Sequence, residues 1–123
     1  MKGAVLLVED EPDIRMLTRY ILEPAGYELV EATSGEEAIA IVQEQPLTLV
    51  LLDIRLPAMS GWEVLRWLKS GRFHEVPVVM MSAHSSGHTQ RRAQEEGSNG
   101  YLVKPFEAEV LLDCIERFAG DGP

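Results

Sequence analysis

The segment LVLLDIRLPAMSGW, residues 49–62, decides the fold. Four apolar residues lead directly into Asp53, and a turn that contains Pro57 and Gly61 follows. A near-continuous apolar run indicates a strand that is buried on both faces, as in a parallel sheet. Residues 47–53 are therefore predicted to form a central strand that carries a carboxylate to the edge of the sheet.

Short apolar runs alternate with helix-like segments on both sides of this strand. The alternation predicts an α/β domain with helices on both faces of a parallel sheet. We expect a doubly wound (βα)5 flavodoxin-like three-layer sandwich with strand order 2-1-3-4-5, in which the more polar second strand lies at an edge. The predicted strands are residues 4–8, 27–32, 47–53 and 76–82, with a short fifth strand within residues 100–106.

Two helices carry specific expectations. The first helix begins near Pro12, a residue suited to a first helical turn, and helical spacing predicts an apolar stripe made of Ile14, Leu17, Ile21 and Leu22. Residues 87–96 offer almost nothing apolar except Ala93, so this fourth helix is predicted to be short or mobile.

Composition limits the class of protein. A chain of 123 residues predicts one domain, which we place at residues 1–119 with residues 120–123 as a tail or the start of a linker. A net charge of −9 argues against direct nucleic-acid binding. No apolar run is long enough to span a membrane, and no signal peptide is recognisable. The single cysteine, Cys114, excludes an internal disulfide and fits a cytoplasmic location.

Carboxylates follow two strands that are predicted to be neighbours. Glu9 and Asp10 follow the first strand, and Asp53 ends the third. Side chains at the carboxyl ends of adjacent parallel strands converge, and three converging anions raise each other's pKa values unless a cation compensates. Mg²⁺ prefers such oxygen ligands, so this edge is a predicted magnesium site.

Two further strand ends add a hydroxyl and an amine. Ser82 ends the fourth strand, and Lys104 follows the end of the fifth. A carboxylate beside a divalent ion and an ammonium group can attack phosphorus and form an acyl phosphate, whose charge the two cations neutralise. Asp53 is therefore predicted to react with a phosphoryl donor.

Four motifs then carry a family resemblance. LLVEDEP, LVLLDIRLPAMSGWEVL, VPVVMMSA and GYLVKPF cover nearly the whole chain in order. Together they resemble the receiver domain of bacterial two-component response regulators.

The resemblance implies a role for each predicted site residue. Mg²⁺, with Mn²⁺ or Ca²⁺ as substitutes, is expected at this site, and Glu9 is the longer acid where many members carry Asp. A cis Lys104–Pro105 peptide is also expected. The implied roles are phosphoacceptor for Asp53, metal ligands for Glu9, Asp10, Asp53 and the backbone carbonyl of Arg55, switch hydroxyl for Ser82, switch aromatic for Tyr101 and phosphate-pairing amine for Lys104.

The resemblance also implies partners. The phosphoryl group is expected from a sensor histidine kinase or a histidine phosphotransfer protein, and a downstream protein is expected to bind the face formed by the fourth helix, fifth strand and fifth helix. We expect a monomer or a phosphorylation-dependent dimer that catalyses only its own phosphorylation and dephosphorylation. Gly100 stands where many DNA-binding regulators carry an acid, which favours a stand-alone receiver or one excised from a hybrid kinase.

Two large residues, Arg55 and His84, lie two positions after Asp53 and Ser82. In the family these positions flank the path of the attacking water. Our hypothesis is that Arg55 and His84 crowd this path and slow autodephosphorylation.

Other functions remain as alternatives. A nucleotide- or flavin-binding enzyme would share the fold, but GxGxxG and GxxxxGK[ST] loops are absent from the sequence. A phosphatase with an aspartyl intermediate would usually carry a second acid where Arg55 stands. A degenerate receiver that binds partners without phosphorylation stays open, as does simple core packing for Tyr101.

Overall fold

The computed structural model describes residues 2–84 and 86–119, so the predicted tail at 120–123 lies outside the described residues. The strands pair in parallel in the order β2-β1-β3-β4-β5, which confirms the predicted fold class and the edge position of β2. The elements in chain order are β1 (Ala4–Val8), α1 (Pro12–Leu22), β2 (Glu28–Ala32), α2 (Gly35–Glu44), β3 (Leu49–Asp53), α3 (Gly61–Ser70), β4 (Val78–Ser82), α4 (Gly87–Glu95), β5 (Gly100–Val103) and α5 (Ala108–Ala119).

The sheet separates two apolar layers. Alternate residues of β3 point to opposite faces: Leu51 joins the cluster that contains Leu22 of α1 and Ile115 of α5. Leu52 joins the cluster that contains Val42 of α2 and Leu65 of α3. All five residues of β3 are buried, which confirms that the opening segment forms the central strand.

Three strand boundaries differ from the predicted ones. β2 begins one residue later than expected, at Glu28, and β3 and β4 begin two residues later, at Leu49 and Val78. Pro77 precedes β4 and has no amide hydrogen for the ladder, although its carbonyl accepts a bond from Val50 at 2.9 Å. β5 is the expected short strand and ends at Val103, before the Lys104–Pro105 peptide, whose cis isomer was predicted.

The predicted apolar stripe of α1 is wrong at one position. Leu17 is 39% exposed, whereas Thr18 is buried and its hydroxyl donates to the Ile14 carbonyl at 2.7 Å. Met16 and Tyr20 are also exposed, because α1 turns only a narrow stripe centred on Leu22 towards the sheet.

Helix α3 begins immediately beside the end of β3. Ser60 and Glu63 form a reciprocal capping box, and the Gly61 amide donates to the Ile54 carbonyl at 2.9 Å. A side chain at position 61 would place its Cβ 2.2 Å from the Asp53 carbonyl oxygen. Glycine is therefore required for the close approach that sets the loop after Asp53.

In the part of the chain that the structure describes, every helix is too short or too polar to cross a membrane.

Candidate functional site at the carboxyl edge of the sheet

The ends of four strands bring polar side chains to one edge. Glu9 follows β1, Asp53 and Ser82 end β3 and β4, and Lys104 follows β5. Backbone hydrogen bonds extend the ladder to this edge: the Glu9 amide donates to Ala32 at 2.9 Å, and the Lys104 amide donates to Ser82 at 2.8 Å. The sheet itself therefore sets the spacing of these side chains.

The Lys104 ammonium group lies among carboxylates. Its Nζ is 2.9 Å from Asp53 Oδ2, 3.0 Å from Glu9 Oε1 and 3.7 Å from Glu11 Oε1. Burial lowers the pKa of Lys104, but the hydrogen bonds and charges of Asp53 and Glu9 outweigh this effect and raise the pKa above its ordinary value. Lys104 is therefore a permanent cation at neutral pH. Sequence reasoning missed Glu11, whose only signal is its place after two acids in VEDEP.

The three predicted carboxylates converge. Oxygen atoms of Glu9, Asp10 and Asp53 all lie within 4.8 Å of one another. Glu9 is fully buried and Asp10 is exposed. Burial raises the pKa of Glu9 to about 7, and the neighbouring Asp53 acts in the same direction while Lys104 opposes it. A hard divalent cation fits this donor set, because it accepts oxygen ligands and stabilises their charged forms.

Backbone amides hold three of the site side chains. Glu9 Oε2 accepts from the Glu11 amide at 3.2 Å, Asp53 Oδ1 from the Arg55 amide at 3.0 Å, and Ser82 Oγ from the His84 amide at 3.0 Å. In each case the donor lies two residues after the acceptor, as in Asx-type turns. Each strand end therefore orients its own functional side chain locally.

These groups line a cleft of about 380 Å³. The structure brings together five of the predicted site residues in its wall, while Glu9 lies behind them, bound to Lys104. The cleft is lined by Asp10, Glu11, Asp53, Arg55, Ser82, Ala83, His84 and Lys104.

Tyr101 lies outside the cleft wall but is joined to it through His84. The half-buried Tyr101 donates its hydroxyl hydrogen bond to the His84 carbonyl at 2.9 Å. Arg55 Nη2 lies 3.3 Å from His84 Nε2, so the two residues singled out by the sequence are in contact at the rim.

Comparisons with known proteins show the family of this chain. The response regulator receiver domain model matches residues 5–116. The polar-differentiation response regulator DivK of Brucella ovis is 33% identical over 122 residues, which cover 98% of this chain and 99% of DivK. The response regulator FleR of Pseudomonas aeruginosa is 35% identical over 97% of this chain, but this match covers only 25% of FleR.

Solved structures show the same fold. Chemotaxis protein CheY4 of Vibrio cholerae superposes with a TM-score of 0.88 at 31% identity, covering 94% of this chain and 98% of CheY4. The receiver domain of the sensor histidine kinase PA1611 of Pseudomonas aeruginosa, solved with a magnesium ion coordinated in its active site cleft, also has a TM-score of 0.88, at 27% identity, covering 97% of this chain and 98% of that domain.

This chain therefore belongs to the response regulator receiver domain family. It is a receiver domain of two-component signalling, and receiver domains are signalling domains that bind Mg²⁺ at an acidic pocket. In this chain the corresponding acidic cluster is made of Glu9, Asp10 and Asp53.

Proposed function

We propose that Asp53 accepts a phosphoryl group from a phosphohistidine of a sensor histidine kinase or a histidine phosphotransfer protein. The observation that carries this proposal is the Lys104 ammonium group, which lies 2.9 Å from Asp53 inside an acidic cleft. A cation in this position suits a carboxylate that must receive a dianionic group.

The chemistry needs one nucleophile and several positive charges. A carboxylate oxygen of Asp53 attacks phosphorus, the bond from phosphorus to the donor breaks, and the imidazole or the acetate of a small donor leaves. Lys104 pairs with the phosphoryl oxygens. Glu9, Asp10, Asp53 and the Arg55 carbonyl would hold Mg²⁺, which supplies charge neutralisation at the phosphoryl group when bound, and Mn²⁺ or Ca²⁺ would suit the same oxygen donors.

Ser82 and Tyr101 form the proposed switch. Both contact the same residue, since Ser82 accepts from the His84 amide and Tyr101 donates to the His84 carbonyl. When Ser82 turns towards a phosphoryl group on Asp53, the segment at His84 loses one contact and Tyr101 is released to turn inward. This segment leads into α4, so a local charge change reaches the α4-β5-α5 face.

The α4-β5-α5 face supplies a site for the downstream partner. A groove of about 730 Å³ runs between these elements and has Arg91, Tyr101 and Phe118 among its walls. A protein that binds this groove would sense the position of Tyr101 directly.

The rim pair sets the lifetime of the phosphoryl group. The contact at 3.3 Å between Arg55 and His84 supports the hypothesis that they obstruct the attacking water. The double variant Arg55→Ala, His84→Ala should hydrolyse its phosphoryl group about tenfold faster. This rate change corresponds to about 1.4 kcal/mol in the activation free energy of hydrolysis. An unchanged hydrolysis rate, followed by intact mass after removal of the donor, would show that the pair has no such role.

The central test uses acetyl phosphate with Mg²⁺ and intact mass. The wild type should gain one phosphoryl group, and Asp53→Asn should gain none. Asp113→Asn, an exposed acid on α5, is the matched control and should gain one phosphoryl group. If the wild type gains nothing from acetyl phosphate or phosphoramidate, it either requires its kinase or is a receiver that binds partners without phosphorylation, and only a gain of mass with a phosphorylated histidine kinase would then support the proposal.

A further inference from the structure

We propose that Arg15 is a positioning residue for the acidic site. Its guanidinium group holds the peptide between Glu9 and Asp10 and so orients both carboxylates for a divalent cation. This inference rests on the proposed metal-binding role of the cleft.

The guanidinium group joins α1 to the ends of two strands. Arg15 Nη1 donates to the Glu9 carbonyl oxygen at 3.0 Å, and Nε donates to Glu31 Oε1 of β2 at 3.1 Å. The Arg15 side chain is only 21% exposed. Because the planar guanidinium group makes two directed hydrogen bonds, it fixes the orientation of the Glu9 peptide as well as supplying a positive charge.

The contacted carbonyl belongs to the peptide that leaves the sheet. Val8 is the last residue of β1 that pairs with β2 or β3. The Glu9 amide still donates to Ala32 at 2.9 Å, but the Glu9 carbonyl is bound by Arg15. The two peptide groups that flank the Glu9 Cα atom are therefore both held, one by the sheet and one by Arg15.

A glutamate needs this support more than an aspartate does. Glu9 has one more rotatable bond than Asp, so a fixed backbone removes some of the conformers that would misplace its carboxylate. Mg²⁺ demands nearly ideal octahedral geometry, and small displacements of its ligands reduce affinity. Loss of an outer contact to a metal ligand typically weakens metal affinity by about 10- to 100-fold.

The same helix provides a matched control. Arg19 lies one helical turn after Arg15 and also pairs with Glu31, but its other described partner is Glu23 and not Glu9. Arg15→Gln and Arg19→Gln therefore remove the same charge and the same ionic partner. Only Arg15→Gln removes the bond to the Glu9 carbonyl.

The sign of the effect separates positioning from simple electrostatics. A cation near the acidic cluster repels a second cation, so charge removal alone predicts slightly tighter Mg²⁺ binding for both variants. Loss of positioning predicts weaker binding for Arg15→Gln only. A fall in Mg²⁺ affinity for this variant therefore opposes the purely electrostatic expectation.

The experiment measures the Mg²⁺ dissociation constant by isothermal titration calorimetry, with thermal unfolding in parallel. Arg15→Gln should weaken Mg²⁺ binding about tenfold, whereas Arg19→Gln should stay within about twofold of the wild type. Arg15→Lys should recover part of the affinity, because one ammonium group can still donate to the carbonyl. The backbone amide signal of Asp10, which belongs to the held peptide, should shift in Arg15→Gln and stay in place in Arg19→Gln.

Each outcome decides the question. If Arg15→Gln binds Mg²⁺ as the wild type does, or if Arg19→Gln is weakened equally, Arg15 is not a positioning residue. If the wild type itself does not bind Mg²⁺, the metal-binding role of the cleft fails and this inference fails with it. A wild type that binds Mg²⁺ and an unaffected Arg15→Gln would overturn the positioning role alone.

Discussion

The acidic cleft and helix α4 are held in place by different kinds of contact. In the cleft, Asp53 and Ser82 are the last residues of fully buried strands, and their oxygens accept backbone hydrogen bonds. Within the described residues, α4 buries only Ala93. Its attachment to α3 runs through Arg92, whose guanidinium carbon lies 4.0 Å from the centre of the Trp62 ring.

An ion-pair network completes the attachment of α4. Glu96, just past the helix, pairs with Arg92 at 2.8 Å and with Arg66 of α3 at 3.3 Å. Surface ion pairs contribute about 0–1 kcal/mol each and exposed cation–π contacts about 0.5–1 kcal/mol. A buried leucine contributes about 1.5–3 kcal/mol. The comparison teaches that buried strands and backbone hydrogen bonds hold the cleft, whereas only weak surface contacts hold α4, as expected for the proposed switch.

The largest expected effect lies at the cleft. Gly61→Ala would place a Cβ atom 2.2 Å from the Asp53 carbonyl oxygen and 2.7 Å from Ile54 Cα. Both are backbone atoms of the chain that leaves β3, so the strain cannot be relieved by a side-chain rotation. We expect the free energy of unfolding in urea to fall by about 3 kcal/mol. A loss below about 1 kcal/mol would mean that the cleft is as adaptable as α4.

The second effect comes from the buried charge of Glu9. Its pKa in the folded protein is raised from the ordinary 4.5 to about 7, so the folded state binds more protons than the unfolded state between these values. The free energy of unfolding therefore loses a contribution of about 3 kcal/mol as pH rises from 4.5 through 7.

Urea unfolding in EDTA between pH 5 and pH 8 tests this linkage. Glu9→Gln should become more stable relative to the wild type as pH rises, because its side chain stays neutral. Mg²⁺ at pH 8 should stabilise the wild type more than Glu9→Gln, because it compensates the charge that burial disfavours. A constant difference between Glu9→Gln and the wild type across this pH range would refute the linkage.

A smaller effect is expected from the attachment of α4. Arg92→Gln removes the contact with Trp62 and one ion pair of Glu96, and should lower the free energy of unfolding by about 1 kcal/mol. Hydrogen exchange should become faster at α4 amides and stay unchanged at β3 and β4. The matched control is Arg91→Gln on the same helix, since Arg91 makes no ion pair among the described residues. Equal acceleration of β3 amides would show that the two regions unfold together.

The smallest effect has the opposite sign. A Cβ atom added to Gly87, at the start of α4, would meet no other atom within 4 Å, and the φ of Gly87 is not positive. Gly87→Ala should therefore stabilise the protein by about 0.5 kcal/mol, through helix propensity and a less flexible unfolded chain. Gly61→Ala and Gly87→Ala are the same substitution at two sites, and their expected effects on the free energy of unfolding have opposite signs. Destabilisation by Gly87→Ala would indicate that α4 is more tightly packed than its contacts suggest.

Local signals were sufficient for the fold and for most of the site. Apolar runs of strand length identified β1, β3 and β4, and the residues at their ends identified Asp53 and Ser82. The register of a parallel sheet then requires these ends to meet, so their convergence followed from the pattern. Strand boundaries were less predictable, because β4 begins only after Pro77, which has no amide hydrogen, and hydrophobicity does not mark this point.

The sequence by itself determined the fold class, the strand order and the group of polar residues that share one edge, because these depend on periodicity and on strand ends. Only the tertiary structure decided which contacts hold that group in place. The exposure of Leu17, the approach of Glu11 to Lys104, the bond from Arg15 to the Glu9 carbonyl and the stacking of Arg92 on Trp62 all depend on how helices are rotated and seated against the sheet. A helix position sets only a direction around the axis, and packing against the neighbouring elements decides what lies in that direction.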